Sequence, residues 1–230
     1  MIDLFFWPTP NGFKVTLMLE ELGVPYRVHA INITKNDQFH PDFLAIAPNN
    51  RMPAIIDSQP ADGGPPLSVF ESGAILIYLA ETHGRFLPTA PRTRLATLEW
   101  LFWQMGGLGP MAGQAHHFRH YAPDPIPYAV ERYTKEVTRL YGVMDRRLDQ
   151  RPFLVGEDYT IADMASWPWV ASHERQGQAL DSHPNLKRWF EAIAARPATR
   201  AGRAVGQDWT ADGTVTSDES LRVLAAHRTA

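Results

Sequence analysis

The pattern of apolar residues changes close to residue 88, and this change constrains the fold more than any other feature. Before Phe86-Leu87-Pro88, runs typical of β-strands alternate with runs at helical spacing, and after it only helical spacing follows. The chain has 230 residues, of which 44% are hydrophobic, enough for two modest domains with their own cores. The sequence therefore predicts an α/β domain at residues 1–87 and an all-helical C-terminal domain at residues 91–206.

The first 23 residues predict a strand, a turn and a helix. Apolar residues alternate from Ile2 to Phe6, and this strand pattern stops at Trp7-Pro8. From Phe13 the spacing becomes helical, and Gly23 is well placed as the residue that follows the helix.

The rest of the N-terminal half repeats these two kinds of element. Residues 39–47 give no clear pattern, and a turn at Asp62-Gly63-Gly64 joins the last two strands. The resulting order of strands and helices is thioredoxin-like. Beyond the first strand and helix, the predicted elements are Tyr26–Ile31, Ala54–Ile56, Leu67–Phe70 and the helix Ser72–His83.

The second half predicts helices only. The clearest helix runs from Tyr128 to Gln150, and Thr160 with Asp163 has the form of a capping box at the start of another. Polar and small residues predominate from Gln207, which predicts a loosely ordered tail at residues 207–230. Two further helices are expected at Thr93–Met105, ended by the break at Gly106–Pro110, and at Leu186–Ala195.

Composition excludes several classes of function. Lys and Arg total 22 against 25 for Asp and Glu, and no basic stripe favours nucleic acid as a partner. Neither a secretory leader nor a stretch of about 20 apolar residues is present, so we expect a cytoplasmic protein that does not enter a membrane. The chain has 0 cysteines, so any thiol chemistry must use a thiol from outside.

Four short stretches carry most of the information about function: Thr9–Gly12, Asn49–Ala54, Phe70–Ile75 and Tyr159–Asp163. Together they resemble a cytosolic glutathione transferase over roughly residues 1–205. The resemblance implies a thioredoxin-like glutathione-binding domain followed by an all-helical domain, with glutathione as co-substrate. Segments such as PTPNG at residues 8–12, WLFWQ at 100–104 and IADMASWPWV at 161–170 are similar to the bacterial nu class. The members of this class are glutathione-dependent disulfide-bond oxidoreductases.

Glu71 and Ser72 open the predicted helix Ser72–His83. The Ser72 hydroxyl and the first N–H groups of the helix can hold a carboxylate, while the Glu71 carboxylate can face an ammonium group. This pair suits the zwitterionic γ-glutamyl end of glutathione. For Ser72 alone, a plain N-cap is the alternative.

Met52-Pro53 is interpreted through the resemblance as a cis peptide bond. Such a bend would leave the N–H and C=O of Met52 able to pair with the cysteinyl backbone of a peptide, as in strand addition. A trans proline at the start of a strand is the alternative that local sequence favours.

Thr9 and Asn11 are the candidates for activating the sulfur of glutathione. A helix N-terminus with added side-chain donors favours anions and therefore a thiolate. The Tyr or Ser that many glutathione transferases use is missing from this turn, since the first Tyr is Tyr26 and the first Ser is Ser58. Thr9 as a simple helix cap, with Pro10 as the first helical residue, remains compatible with this role.

The resemblance places three more residues at glutathione. Gln38 would bind the glycyl carboxylate, Arg51 would assist, and Arg132 would reach glutathione across a dimer interface. A solvated Gln38 and an Arg132 paired with Glu136 four residues later are the alternatives.

No metal site is expected. Three histidines, His116, His117 and His120, lie near a glycine-rich break, and His117 and His120 have the spacing of helical ligands. The aromatic residues Trp100, Phe102 and Trp103 are interpreted as core or interface.

The resemblance implies a homodimeric enzyme that binds glutathione or glutathione disulfide and reduces small disulfides by thiol–disulfide exchange. Conjugation of glutathione to electrophiles is an alternative activity. A glutathione-binding module without turnover is a third possibility.

Overall fold

The computed structural model describes residues 1–209, which divide into two compact units. The first unit contains Met1–His83 together with the described residues from Ala198 onward, and the second contains Gly84–Pro197. The domain limits expected at residues 87 and 91 stay a prediction. Residues 210–230, most of the expected tail, lie outside the described residues, while Gln207–Trp209 form a 3-10 turn.

A mixed four-stranded sheet forms the centre of the first unit and confirms the thioredoxin-like order. The strands lie in the order β2-β1-β3-β4, with β1 and β2 parallel and the other pairs antiparallel. The strands are β1 (Ile2–Phe6), β2 (Tyr26–Ala30), β3 (Ala54–Asp57) and β4 (Leu67–Phe70).

Helices connect these strands where the sequence predicts them. α1 (Pro10–Leu22) forms the crossover that a parallel pair of strands requires, and Gly23 ends it in the left-handed region at φ 69°. α3 (Ser72–His83) has the predicted bounds. The segment without a clear pattern contains a 3-10 turn and the short helix α2 (Pro41–Leu44).

The register of the sheet brings three chain segments together at one end of the strands. Phe5 pairs with Ala54, and Ala54 pairs with Phe70, so β1 ends beside the start of β3 and the end of β4. Met52-Pro53 directly precedes β3, Glu71-Ser72 directly follows β4, and Thr9 lies three residues after the end of β1. The fold therefore assembles residues that are distant in sequence into one corner of the first unit.

The second unit is helical, as predicted. A π-helical turn at Gln104–Leu108 lies at the predicted break, and the Thr160–Asp163 capping box is confirmed at the start of α7. Its helices are α4 (Pro91–Trp103), α5 (Gly109–His120), α6 (Pro127–Arg147), α7 (Ile161–Val170) and α8 (Pro184–Ala194).

A C-terminal helix, α9 (Pro197–Ala204), packs against α1 from Ala198 onward. The Thr16 hydroxyl donates a 2.9 Å hydrogen bond to the Gly202 carbonyl. The indole of Trp209 stacks on Trp7 with 5.7 Å between ring centroids. α1 also contacts α3, and its residues 12–19 are all buried.

No helix among the described residues combines the length and the apolar character needed to cross a bilayer.

Candidate active site

Thr9 links the end of β1 to the start of α1. Its backbone is extended at φ −123°, and its Oγ1 accepts a 3.3 Å hydrogen bond from the Gly12 N–H, so the predicted cap is present. The same hydroxyl donates toward Met52 Sδ at 3.5 Å. The hydroxyl proton of Thr9 is thus directed at a sulfur atom in the corner of the sheet.

Asn11 and Gly12 form the first turn of α1. Asn11 is half-buried. A Cβ placed on Gly12 would lie 2.3 Å from the Trp7 carbonyl oxygen. Glycine at this position therefore lets the helix begin close to the end of β1 and keeps Asn11 beside Thr9.

The Met52-Pro53 bond is cis, which confirms the prediction. Among residues 1–209, neither the N–H nor the C=O of Met52 has a hydrogen-bond partner. Pro53 is buried directly before β3. An extended peptide placed along Met52 would find a donor and an acceptor of the kind used in strand addition.

Glu71 and Ser72 lie at the start of α3. Glu71 is exposed, adopts φ 68°, and its carbonyl accepts the first helical hydrogen bond, from the Ile75 N–H at 2.9 Å. Ser72 is therefore the first helical residue rather than the N-cap. Its side chain is buried, while the Glu71 carboxylate faces solvent.

Lys14 is a residue of this corner that the sequence analysis missed. It is 1% exposed, and its Nζ donates a 3.3 Å hydrogen bond to Ser72 Oγ. Burial lowers the pKa of Lys14 to about 7, and the Glu71 carboxylate opposes this shift. Because residues 12–19 of α1 are all buried, no periodic signal in the sequence distinguishes Lys14 from an exposed lysine.

Gln38 and Arg51 lie in loops of the same unit. Gln38 is part of the 3-10 turn Asp37–Phe39, and its Oε1 is buried without a hydrogen-bond partner among the described residues. A buried acceptor of this kind needs a donor from elsewhere. Arg51 is exposed immediately before Met52.

Arg132 belongs to the second unit, where it is exposed on α6. Glu136, its expected partner in the alternative interpretation, instead accepts two hydrogen bonds from Arg139, at 2.7 and 2.8 Å. Within the described part of the chain, Arg132 has no carboxylate within ion-pair distance.

The histidines of α5 make aromatic contacts. His116 stacks on Tyr121 with 5.1 Å between centroids and meets His120 edge to face at 5.3 Å. Burial, with the nearby Arg175 charge, lowers the pKa of His116 to about 4. No group of three or more potential metal ligands occurs among residues 1–209.

Comparisons with known proteins agree with this architecture. The family model described as "Glutathione S-transferase, N-terminal domain" matches residues 2–81, and that described as "Glutathione S-transferase, C-terminal domain" matches residues 110–197. The disulfide-bond oxidoreductase YfcG of Escherichia coli is 59% identical over 199 residues, which cover 86% of this chain and 93% of that protein.

Solved structures show the same fold. A glutathione transferase family member from Pseudomonas fluorescens with two glutathione bound has a TM-score of 0.83 at 43% identity, covering 88% of this chain and 92% of that one. A glutathione transferase from Pseudomonas putida with one glutathione disulfide per subunit also has a TM-score of 0.83, at 40% identity, covering 89% and 91% of the two chains. On these grounds, the chain belongs to the glutathione S-transferase family.

Proposed function

We propose that the chain is a glutathione-dependent enzyme that reduces small disulfides by thiol–disulfide exchange. The observation that carries this proposal is the corner where Thr9, Met52-Pro53 and Glu71-Ser72 lie together, with a hydroxyl directed at sulfur. The similarity to YfcG, which is named a disulfide-bond oxidoreductase, supports the same activity. Because the chain has 0 cysteines, the reacting sulfur atoms must belong to glutathione and the substrate.

In this proposal, glutathione extends across the corner of the first unit. Glu71 and Ser72 hold the ammonium and carboxylate groups of the glutamyl end, and the Met52 backbone pairs with the cysteinyl residue. Gln38, whose buried Oε1 lacks a partner among the described residues, lies in the loop proposed to hold the glycyl end. Arg51 from the same unit and Arg132, reaching glutathione across a dimer interface, complete the proposed set of binding residues.

Thr9 and Asn11 are proposed to stabilise the glutathione thiolate. The Thr9 hydroxyl is directed at Met52 Sδ, and a thioether is a weak acceptor. A thiolate is a much better acceptor and would take over this donor. The N-terminus of α1 adds a favourable partial positive charge, so the pKa of the bound thiol should fall.

The reaction then proceeds in two exchanges. The thiolate of one glutathione attacks the substrate disulfide, forming a mixed disulfide and releasing one substrate thiolate. The thiolate of a second glutathione attacks the glutathione sulfur of the mixed disulfide and releases the second substrate thiolate. The products are glutathione disulfide and two substrate thiols, which take up the protons lost by the two glutathiones. The Pseudomonas fluorescens relative has two glutathione molecules bound, which supports a site large enough for both.

Turnover of hydroxyethyl disulfide with glutathione tests the proposal. We expect wild-type turnover and a loss on the order of 100-fold in Asn11→Ala, because one donor to the developing charge is removed. Thr9→Val should lose activity for the same reason, whereas Thr9→Ser keeps the hydroxyl and serves as the matched control. An unchanged rate in Asn11→Ala would reject the site assignment.

Conjugation of glutathione to an electrophile is the second candidate, because the matched family model is that of glutathione S-transferases and the same thiolate would serve. Turnover of an aryl halide, measured beside that of the disulfide, separates the two activities. Strong conjugation without disulfide reduction would favour the second candidate. Tight glutathione binding in calorimetry without either turnover would favour a binding module.

A homodimer in the cytoplasm is part of the proposal. Four large apolar side chains of the second unit are exposed, and such residues are typical of interfaces. They are Leu95 at 59%, Phe102 at 65%, Ile126 at 46% and Tyr128 at 72%. Reduction by glutathione also suits a reducing compartment. Sedimentation velocity and cell fractionation test these two statements.

A further inference from the structure

A buried lysine lies directly behind the pair proposed to hold the glutamyl end of glutathione. Lys14 is 1% exposed, and its Nζ lies 3.3 Å from Ser72 Oγ, joining α1 to the first residue of α3 across 58 positions of sequence. The function proposed above gives this lysine no part. Burying a cation in the interior of a small domain lowers its stability unless the cation is paired with a bound or neighbouring anion.

The charge state of Lys14 decides the direction of its hydrogen bond to Ser72. An ammonium group has donors only, so a protonated Lys14 must use a lone pair of the Ser72 oxygen. The Ser72 proton then points away from Lys14. A neutral amine carries a lone pair and can accept that proton, which reverses the hydrogen bond. A carboxylate ligand needs Ser72 as a donor and therefore favours the protonated lysine.

The charges around Lys14 allow it to change state near neutral pH. Burial has the largest effect and lowers the pKa of Lys14 to about 7. Among the described residues, Glu71 at the start of α3 is the carboxylate that raises it. On α9, the guanidinium of Arg203 lies 4.2 Å from the centroid of the Phe13 ring, and on α1 itself the acidic residues Glu20 and Glu21 stand near its far end.

We propose that Lys14 is a positioning residue that couples the uptake of a proton to the binding of the glutamyl α-carboxylate, by fixing Ser72 as a hydrogen-bond donor. The inference rests on the proposed function, because it requires Ser72 to receive that carboxylate. A carboxylate placed beside Ser72 favours the charged form of Lys14. By linkage, glutathione and the proton each strengthen the binding of the other.

Calorimetric titration of the full chain with S-methylglutathione tests this coupling. The probe keeps both carboxylates of glutathione and has no thiol to ionise. Titrations at pH 8 in buffers of different ionisation enthalpy give the number of protons taken up on binding. The matched control is Lys14→Arg, because a guanidinium keeps its charge and its donors at this pH.

We expect the wild type to take up roughly half a proton or more beyond the control, since a group with a pKa of about 7 is mostly neutral at pH 8 before binding. The α-amino group of the probe titrates equally with both proteins and cancels in the difference. We also expect wild-type affinity to weaken roughly tenfold between pH 7 and pH 8.5, and affinity of the control to change by less than about twofold.

Equal proton uptake and parallel pH dependence in the two proteins would overturn the inference and leave the proposed function standing. Absence of binding by the wild type at every pH would overturn the proposed function and the inference with it. If Lys14→Arg does not fold, the wild type is titrated with the analogue of the probe that lacks the α-amino group. Uptake of half a proton or more then supports the coupling, and a smaller uptake rejects it.

Discussion

At the scale of single residues, Gly12 sets how closely α1 approaches the end of β1. An added Cβ would lie 2.3 Å from the Trp7 carbonyl oxygen and 2.7 Å from the Phe6 ring. The first of these contacts is with backbone, which cannot rotate away as a side chain can. The position of Asn11, one residue earlier, depends on this close approach.

Gly12→Ala should therefore destabilise the protein. The backbone has to shift to admit the methyl group, and overpacking of this kind costs about 1–3 kcal/mol. For a chain of this size, we expect the midpoint of thermal unfolding to fall by about 2–12 °C. Gly106→Ala is the control, because no heavy atom lies within 4 Å of the added Cβ there. Equal midpoints for the two variants would contradict the prediction.

Lys14 makes a second prediction at this scale, on stability rather than binding. Its folded pKa of about 7 lies below the ordinary value of 10.5, so between these limits the unfolded chain binds more protons than the folded one. The contribution of Lys14 to the free energy of unfolding therefore rises with pH in this window, by roughly 2 kcal/mol from pH 7 to pH 9.

Urea denaturation of the wild type and Lys14→Met at these two pH values measures this contribution. Methionine has no titratable group, so the difference between the two proteins isolates the lysine. The rise with pH should be larger in the wild type. The same pH dependence in both proteins would rule out a depressed lysine pKa.

At the scale of elements, the start of α7 shows how a short motif organises the second unit. Asp163 Oδ2 accepts hydrogen bonds from the N–H and the hydroxyl of Thr160, at 3.0 and 3.1 Å. Its Oδ1 accepts from the Leu154 N–H and the Trp189 indole, both at 2.9 Å. One buried carboxylate thus joins the N-terminus of α7 to a loop and to α8.

Asp163→Asn should lower the free energy of unfolding by about 3 kcal/mol. The amide matches the carboxylate in shape, but its NH₂ group would face donors in place of an acceptor oxygen. Equilibrium denaturation in urea measures the loss. Asp158→Asn, at an exposed position of the preceding loop, should change stability by less than about 0.5 kcal/mol. A similar small change in Asp163→Asn would show that the four hydrogen bonds are dispensable.

The sequence predicts elements best where their two faces differ. The alternation in β1 and the helical spacing in α6 come from one buried side and one less buried side, and both elements are found. Residues 37–47 form a 3-10 turn and a four-residue helix, which are too short for a period to emerge. In the candidate site, short motifs predict Glu71 and Met52 because their proposed roles depend on the backbone conformation next to them in sequence.

The burial of Lys14 could not be predicted in this way, for a physical reason. Its environment is set by Ser72, which is 58 residues away, and by helices that cover α1 on more than one side. A helix buried all round gives no periodic signal that separates an inward lysine from an outward one. Only the three-dimensional packing of α1 reveals the burial of its amine.

At the scale of the whole molecule, the first unit is built from both ends of the described chain. Trp209 stacks on Trp7 and meets Phe6 edge to face, with 6.0 Å between the latter centroids. Thr16 and Gly202 join α1 to α9 by a hydrogen bond. The C-terminal segment therefore contributes to the core beside the proposed active site.

Trp209→Ala should lower the free energy of unfolding by about 2 kcal/mol, since the contact with two aromatic rings is lost. Trp209→Phe keeps one ring and should lose about half as much. Thermal unfolding followed by far-UV circular dichroism measures both changes. If Trp209→Ala and the wild type have the same midpoint of thermal unfolding, the stacking contributes nothing to stability.

The return of α9 to α1 also determines when the protein can finish folding during its synthesis. The ribosome must translate more than a hundred residues after His83 before Gly202 and Trp209 emerge, which takes roughly 5–25 s at ordinary elongation rates. Throughout that interval the nascent β-sheet and its first helix lack their outer cover and present apolar surface to the cell. Chaperones that shield such surface would therefore act on this chain until α9 is released.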